Sequence, residues 1–267
     1  MKKIERITIV SNEHKPAAVA LAGEIAEWLA ERGIAHTTDN PDLVLALGGD
    51  GTMLRAAQLA HTSDAPLLGV NLGALGYLSE IDAGDELTAL EKVIDGSFEL
   101  EDRMMLACHV EIGGRDQLDY VGLNEVLVER SSRHRLVRLV ARIGGEHLAA
   151  FNADGLIIAT PTGSTAYALS AGGPIVSPRA QCLVLVPVSP HMIFSRPFVL
   201  APDEEVEIVV DEASGQDAAV SLDGAIGRDV PPGSVVTVRR HERPLRLVRL
   251  AGPGFIERLR IKLGLPD

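Results

Sequence analysis

The sequence predicts an α/β plus mostly-β protein. An N-terminal parallel α/β domain spans residues 1–100, a β-rich domain spans 101–250, and a C-terminal helix over 251–267 returns to pack on the first domain. Three observations predict this. Up to about Phe98, short apolar runs alternate with segments of helical periodicity, the pattern of βαβ units. From there to about Arg249 helical periodicity is scarce, and β-branched runs are separated by glycine pairs. The final stretch, 254–263, is amphipathic again.

In chain order, Ile7-Thr8-Ile9-Val10 is a β-branched run ending at Ser11-Asn12, a buried strand entering a turn. Over 16–32, Val19, Leu21, Ile25, Trp28 and Leu29 recur at helical spacing until Gly33 stops them. Residues 43–47 (Leu-Val-Leu-Ala-Leu) form a second strand, and Gly48-Gly49-Asp50-Gly51-Thr52 follows at once. An Ala- and Leu-rich helix is expected over 53–60, a strand over 66–70 and a helix over 86–94. In the second part, strands are expected at 109–112, 125–129, 137–143, 156–159, 183–186, 206–210 and 235–238. Gly113-Gly114, Gly144-Gly145 and Pro231-Pro232-Gly233 are the turns between them, and one helix, 165–171, interrupts the pattern.

Composition narrows the function classes. The chain has 267 residues, 46% hydrophobic and 23% charged, which argues against extended disorder. Its 37 Asp and Glu against 25 Lys and Arg give a net charge of −12. Such a field disfavours nucleic acids and anionic membranes, so neither is an expected partner. The N-terminus lacks a signal-peptide pattern and no stretch approaches a membrane helix. Cys108 and Cys182 form no C-x-x-C pair, and reduced thiols in the cytoplasm are expected. The eight histidines are scattered, so no metal is assigned to protein ligands. Met104-Met105 reads as core filler, and Arg239, Arg240, Arg243, Arg246 and Arg249 as the solvent side of strands.

Three segments carry chemistry. In Gly48-Gly49-Asp50-Gly51-Thr52, glycines let a ligand approach the backbone, and the amides opening the next helix suit an anion. A carboxylate there repels phosphate, but fits a general base for a hydroxyl or a holder of Mg²⁺ on phosphate oxygens. The alternative is a tight turn with Asp50 as helix N-cap. No P-loop, G-x-G-x-x-G, G-x-S-x-G or H-E-x-x-H motif is present, and Gly69, Gly73 and Gly76 have the wrong spacing for the second.

The second segment is Asn152-Ala153-Asp154-Gly155, a strand, and then the hydroxyl- and glycine-rich run from Thr160 to Pro174. Tyr167 offers a ring for a base or sugar; the alternative makes it core beside a capped helix. In the third, Asn124-Glu125 enters a buried strand and needs polar partners, since an unpaired buried amide costs about 1–3 kcal/mol. Ribose hydroxyls would satisfy both. Arg130, Arg133, His134, Arg135 and Arg138 follow, read mostly as a solvated basic loop, with a diphosphate as the alternative partner.

The sequence resembles the NAD kinase family in the Gly48-to-Thr52 loop, Asn124-Glu125, Asp154-Gly155 and Thr160 to Pro174, in order and approximate spacing over nearly the whole chain. The first motif is shared with phosphofructokinases and lipid kinases; the long fourth run, together with Asn124-Glu125, is specific. The resemblance implies transfer of a phosphoryl group from ATP, or polyphosphate, to the 2′-hydroxyl of the adenosine ribose of NAD, giving NADP. Asp50 would be the general base. Gly48, Gly49, Gly51, Thr52 and Arg55 would meet the donor phosphates. Asp50, Gly51, Asn124, Glu125, Arg135, Asn152, Asp154, Thr165, Ala166, Tyr167, Ala168, Leu169 and Ser170 would contact NAD.

Mg²⁺ would arrive with ATP, with no protein metal site, and the protein would be a homodimer or homotetramer. After Asp223-Gly224, where many relatives carry glutamine, this chain has Ala225, so that contact is not carried over. Two other classes compete. A lipid or sugar kinase would share the Gly48-to-Thr52 loop without needing the Thr160-to-Pro174 run. A non-catalytic dinucleotide sensor would keep the binding segments but lose the base, and Asp50 disfavours it.

Overall fold

The computed structural model describes residues 3–73, 76–132, 134–192, 195–224, 227–250, 252 and 254–265, without the side chains of 116–118. Arg133 and Ala225, both singled out above, lie outside the described residues. The chain divides into two units, Met1–Arg103 with Pro244–Asp267, and Met104–Arg243.

The first unit is built on one sheet. Its strand order is Ala35–His36, Arg6–Ser11, Leu43–Gly48, Leu67–Asn71, Leu245–Arg249 and Glu99–Arg103, with Ile81–Asp82 also paired to Leu67–Asn71. The pairings are parallel except the last of the series, where Glu99–Arg103 runs antiparallel to Leu245–Arg249. Leu43–Gly48 lies inside the sheet and is buried at every residue, so its sequence shows no alternation. Helices Pro16–Glu31, Asp50–Thr62, Glu86–Ile94 and Phe255–Leu263 accompany it. Pro16 starts the first of these with its φ already helical. Gly33, at φ 70°, ends it in the left-handed conformation that glycine adopts without strain. Ile25, Leu29, Leu45, Leu47, Val70, Leu90 and Val248 share the unit's main core.

Two expectations are corrected here. The sequence pattern puts residues 245–249 in the β-rich domain, yet they form a strand of the first sheet, so a strand as well as the C-terminal helix belongs to this unit. Alternating Leu and Arg specify a strand with one buried face, but not which sheet receives it. The same pattern puts Arg249 on the solvent side of its strand, yet its side chain is only 16% exposed.

Arg249 belongs to a buried ionic network. It pairs with Glu80 and, through Nε, with Glu101 Oε2 at 3.1 Å. Arg258 on the last helix reaches Glu80 Oε2 at 3.4 Å and donates to the Ser79 carbonyl. The Leu250 N–H donates to Glu80 Oε1 at 2.8 Å, and Arg103 meets Glu101 at 2.7 Å. Burial pushes the Glu80 carboxyl up, against the lowering pull of Arg249, Leu250 and Arg258.

The second unit has two six-stranded antiparallel sheets. One runs Glu146–Ala153, Val137–Ile143, Val206–Val210, Val235–Arg240, Leu106–Ile112 and Arg115–Gly122; the other runs Phe198–Leu200, Leu183–Val188, Gly155–Ala159, Glu125–Arg130, Ala218–Leu222 and Arg228–Val230. Val110, Leu139 and Val236 of the first meet Val128, Ile158 and Leu185 of the second in one core. The second sheet's other face carries Leu127, Ile157, Val184 and Val186 under Ala168 of the Tyr167–Ser170 helix. Burial on both faces explains the uninterrupted apolar runs at 155–159 and 183–188. Both cysteines are free and buried. No helix among the described residues is long and apolar enough to cross a membrane.

Glu80→Ala would leave Arg249 and Arg258 buried without their shared carboxylate. Urea unfolding should show a loss of about 3–5 kcal/mol; a loss below about 1 kcal/mol would mean the network is replaceable.

Candidate active site

In the first unit, the buried Leu43–Gly48 strand runs straight into the Asp50–Thr62 helix. This corrects the expected start at Met53: Asp50, Gly51 and Thr52 are the helix's first turn, and Gly49, not Asp50, is its N-cap. The Thr52 and Met53 amides bond back to the Gly49 carbonyl at 2.9 and 3.1 Å, which leaves the opening amides as the anion-facing end of the helix. Met53, Ala56, Ala57 and Ala60 are buried and seat the helix. A Cβ at Gly69 would lie 2.3 Å from Met53 Sδ, so the bare strand backbone makes room for that side chain.

The glycines around Asp50 fall into two groups. A Cβ at Gly48 would stand 2.4 Å from Thr52 Oγ1, and one at Gly76 would stand 2.6 Å from Asp50 Oδ1. Those two are glycine because the protein itself fills the space. Gly49 and Gly51 have no neighbour within 4 Å of a Cβ among the described residues, and neither has positive φ. Neither packing nor backbone conformation demands glycine at these two, and Gly51 within a helix costs about 1 kcal/mol relative to alanine. Bare backbone facing open space is what a closely approaching ligand requires.

Asp50 Oδ1 is buried and has no hydrogen-bond partner among the described residues, and the same holds for Ser79 Oγ. Asp50 Oδ2 lies 3.6 Å from Lys262 Nζ. Burial, then the Asp50 charge, pushes the Tyr77 hydroxyl up. Arg55 is exposed one turn on, donating to the Ser11 carbonyl at 3.4 Å. Asn71 and Gly73 exchange two hydrogen bonds, at 3.1 and 3.2 Å, that shape the loop leading to Gly76.

In the second unit, Asn124 and Glu125 are held by Asp223. Its carboxylate accepts from the amides of Leu123 and Asn124, both at 2.7 Å, and of Glu125 at 3.2 Å. The Asn124 carbonyl accepts from Thr160 N–H at 2.8 Å. A Cβ at Gly163 would lie 2.0 Å from that same oxygen, so only glycine fits there. The hydroxyl-rich run thus closes directly on Asn124-Glu125, with Thr160 Oγ1 donating to Leu123 at 2.6 Å and Ser164 Oγ to Pro161 at 2.7 Å. Glu125 is buried, accepts from the Tyr167 amide, and keeps Oε2 without a partner among the described residues. Tyr167 is 42% exposed, which removes the core alternative. Thr165, Ala166 and Leu169 are half-buried, Ser170 is exposed, and the expected 165–171 helix is a 3₁₀ turn, Gly163–Thr165, then Tyr167–Ser170.

The remaining assigned residues stand apart from that cluster. Gly155 pairs with Glu129 and Ala159 with Glu125, so Asp154, one residue further on, lies about 17 Å along the strand from Glu125 at the usual rise per residue. Asp154 binds Arg130 Nε at 2.6 Å, and Arg138 binds Asp211 at 2.6 Å, which takes both arginines out of the solvated loop. Asn152, His134 and Arg135 are exposed. Gly76, Ser79 and Lys262 beside Asp50, and Asp223 beneath Asn124, were not found from sequence. The Gly73-to-Gly76 spacing was a signal, but Lys262 and Asp223 carry no local one.

A glycine-opened helix presenting a carboxylate, in a parallel α/β unit, and a buried acid-amide pair in a β-rich unit are features that suit a nucleotide-dependent phosphotransferase. Comparison narrows this. The family model of the ATP-NAD kinase N-terminal domain matches residues 33–98, and that of the C-terminal domain matches 123–250. The NAD kinase of Heliobacterium modesticaldum is 39% identical, over 96% of this chain and 98% of that protein. The crystal structure of yeast NADH kinase complexed with NADH is similar at a TM-score of 0.87 and 25% identity, over 100% of this chain and 89% of that one. An NAD kinase from Archaeoglobus fulgidus in complex with ATP matches at a TM-score of 0.75 and 26% identity, over 97% of this chain and 96% of that one. The chain belongs to the NAD kinase family, enzymes that phosphorylate NAD to NADP with ATP. The lipid-kinase, sugar-kinase and sensor readings fall with that assignment.

Burial, and then the Asp223 carboxylate, pushes the Glu125 pKa up from 4.5 to about 7. Between those values the folded protein holds a proton that the unfolded chain has released, so stability falls as pH rises through that window. Glu125→Gln removes this titration. Its melting temperature relative to wild type should rise across the same interval, and a difference independent of pH would contradict the burial of an ionisable Glu125.

Proposed function

We propose that Asp50 is the general base of the phosphoryl transfer and that the turn around it holds the donor phosphates. The observation that carries this is the pair Gly49 and Gly51, glycines facing open space at the mouth of a helix that begins on a carboxylate. Asp50 takes the proton of the adenosine-ribose 2′-hydroxyl of NAD. The freed oxygen bonds to the γ-phosphorus of ATP, the bond from that phosphorus to the bridging oxygen breaks, and ADP leaves as NADP forms.

The amides of Gly48, Gly49 and Gly51, the Thr52 hydroxyl and the Arg55 guanidinium address the donor phosphates. They read phosphate and not the base, so polyphosphate is proposed as a second donor. Mg²⁺ enters with ATP and supplies neutralisation of its phosphate charge. Asp50, a partly exposed carboxylate in the first turn of that helix, is a hard oxygen group suited to the neighbourhood of such a cation.

Asn124, Glu125 and the segment from Thr165 to Ser170 are assigned to the adenosine part of NAD, with the exposed Tyr167 ring as a stacking face. Unsatisfied Glu125 Oε2 supports this, as a buried carboxyl oxygen awaiting a hydroxyl or amine donor. Arg135, Asn152 and Asp154 are assigned further dinucleotide contacts. The enzyme is proposed to be a cytoplasmic homodimer or homotetramer, in keeping with its two free thiols.

Asp50→Asn should leave NAD affinity nearly intact by calorimetry and cut turnover by a factor on the order of 10²–10⁴ in an assay of NADP formation run with ATP and with polyphosphate in separate tubes. Turnover close to wild type would remove Asp50 from the base role.

Gly51→Ala separates ligand approach from folding. Thermal stability should hold or rise, by up to about 1 kcal/mol, while KM for ATP rises at least several-fold. An unchanged KM would return the glycine to a structural role.

A further inference from the structure

Lys262, in the last turn of the Phe255–Leu263 helix, is the cation nearest the accessible side of Asp50 among the described ion pairs. Its Nζ lies 3.6 Å from Asp50 Oδ2 and 3.9 Å from the centroid of the Tyr77 ring. The two carboxylate oxygens are not equivalent. Oδ1 is buried against Gly76, where no side chain fits, whereas the Asp50 side chain as a whole is 41% exposed, so its accessible part lies on the Oδ2 side. An approaching hydroxyl therefore meets Oδ2, the oxygen that Lys262 faces. At 3.6 Å the contact is an ion pair longer than a hydrogen bond, so Oδ2 keeps lone pairs for a hydroxyl proton.

The surroundings fix the ammonium in this place. Tyr77 covers one side of it by a cation–π contact. One turn earlier on the same helix, Arg258 also feels Asp50, but its guanidinium is spent on Glu80 and the Ser79 carbonyl. That pairing ties the helix down, and Lys262, four residues on, shares its face.

We propose that Lys262 is a positioning residue for the phosphoryl transfer: it holds the accessible oxygen of Asp50 in one rotamer, turned to receive the hydroxyl proton. This rests on the reading of Asp50 as base.

The test uses the full-length enzyme with Lys262→Met and Lys262→Arg, each alone and combined with Asp50→Asn. Lys262→Met should lower kcat about ten- to a hundred-fold, with KM for NAD and MgATP changed by less than about two-fold. Lys262→Arg should restore most of kcat, which also shows that the helix tolerates substitution. In the Asp50→Asn background Lys262→Met should add no further loss. Three results would overturn the proposal: unchanged kcat in Lys262→Met, a rise confined to KM for MgATP (a phosphate ligand instead), or the same loss of kcat with and without the Asp50 carboxylate. Failure of the base reading is separable, since it shows as near-wild-type turnover of Asp50→Asn alone.

Discussion

A carboxylate at the first position of a helix is favoured by the helix dipole, yet Asp50 leaves one oxygen buried and without a partner among the described residues. Much of the first unit can be traced to holding that side chain. The Leu43–Gly48 strand, buried on both faces, aims the chain at it. Gly48 admits Thr52 beneath the turn, and Gly76 gives the carboxylate its wall. Met53 packs into the space that the missing side chain of Gly69 leaves, and so seats the helix on the sheet. An unsatisfied buried oxygen costs about 1–3 kcal/mol, and here that cost accompanies a wall on one side of the carboxylate that leaves the Oδ2 side outward.

The two acids that matter are placed in opposite ways. Asp50 is partly exposed, faces a lysine, and sits where amides open toward solvent. Glu125 is buried, faces another carboxylate through Asp223, and is pushed toward neutrality. Partial exposure leaves Asp50 within reach of a hydroxyl; burial of Glu125 serves a donor or acceptor that distinguishes a bound base or sugar. The C-terminal segment contributes to the first of these. Its strand completes the sheet, its Arg258 joins the Glu80 network, and its Lys262 reaches Asp50.

Local pattern made the strand–helix alternation of the first unit and most of the β-rich strands legible, because each needs only period and turn residues. Short strands such as Ala35–His36, Ile81–Asp82 and Phe198–Leu200 have too few residues to show a period. Glu146–Ala153 begins with polar residues after a glycine turn and hides its register. The sheet that receives Leu245–Arg249 is decided by long-range pairing, which no local signal encodes. At the site, Asp50 and Asn124-Glu125 stood out because charge and amide groups beside apolar strands are costly. Asp223 and Lys262 did not, since each is ordinary in its own segment and acquires meaning only from a contact about a hundred or more residues away.

A crystal structure with NAD and an unreactive ATP analogue bound together tests the central claim most directly. The account predicts the adenosine 2′-hydroxyl within hydrogen-bond reach of an Asp50 oxygen, about 2.6–3.2 Å, and phosphate oxygens against the bare amides of Gly49 and Gly51. A 2′-hydroxyl bonded to another side chain, with Asp50 turned away, would contradict it.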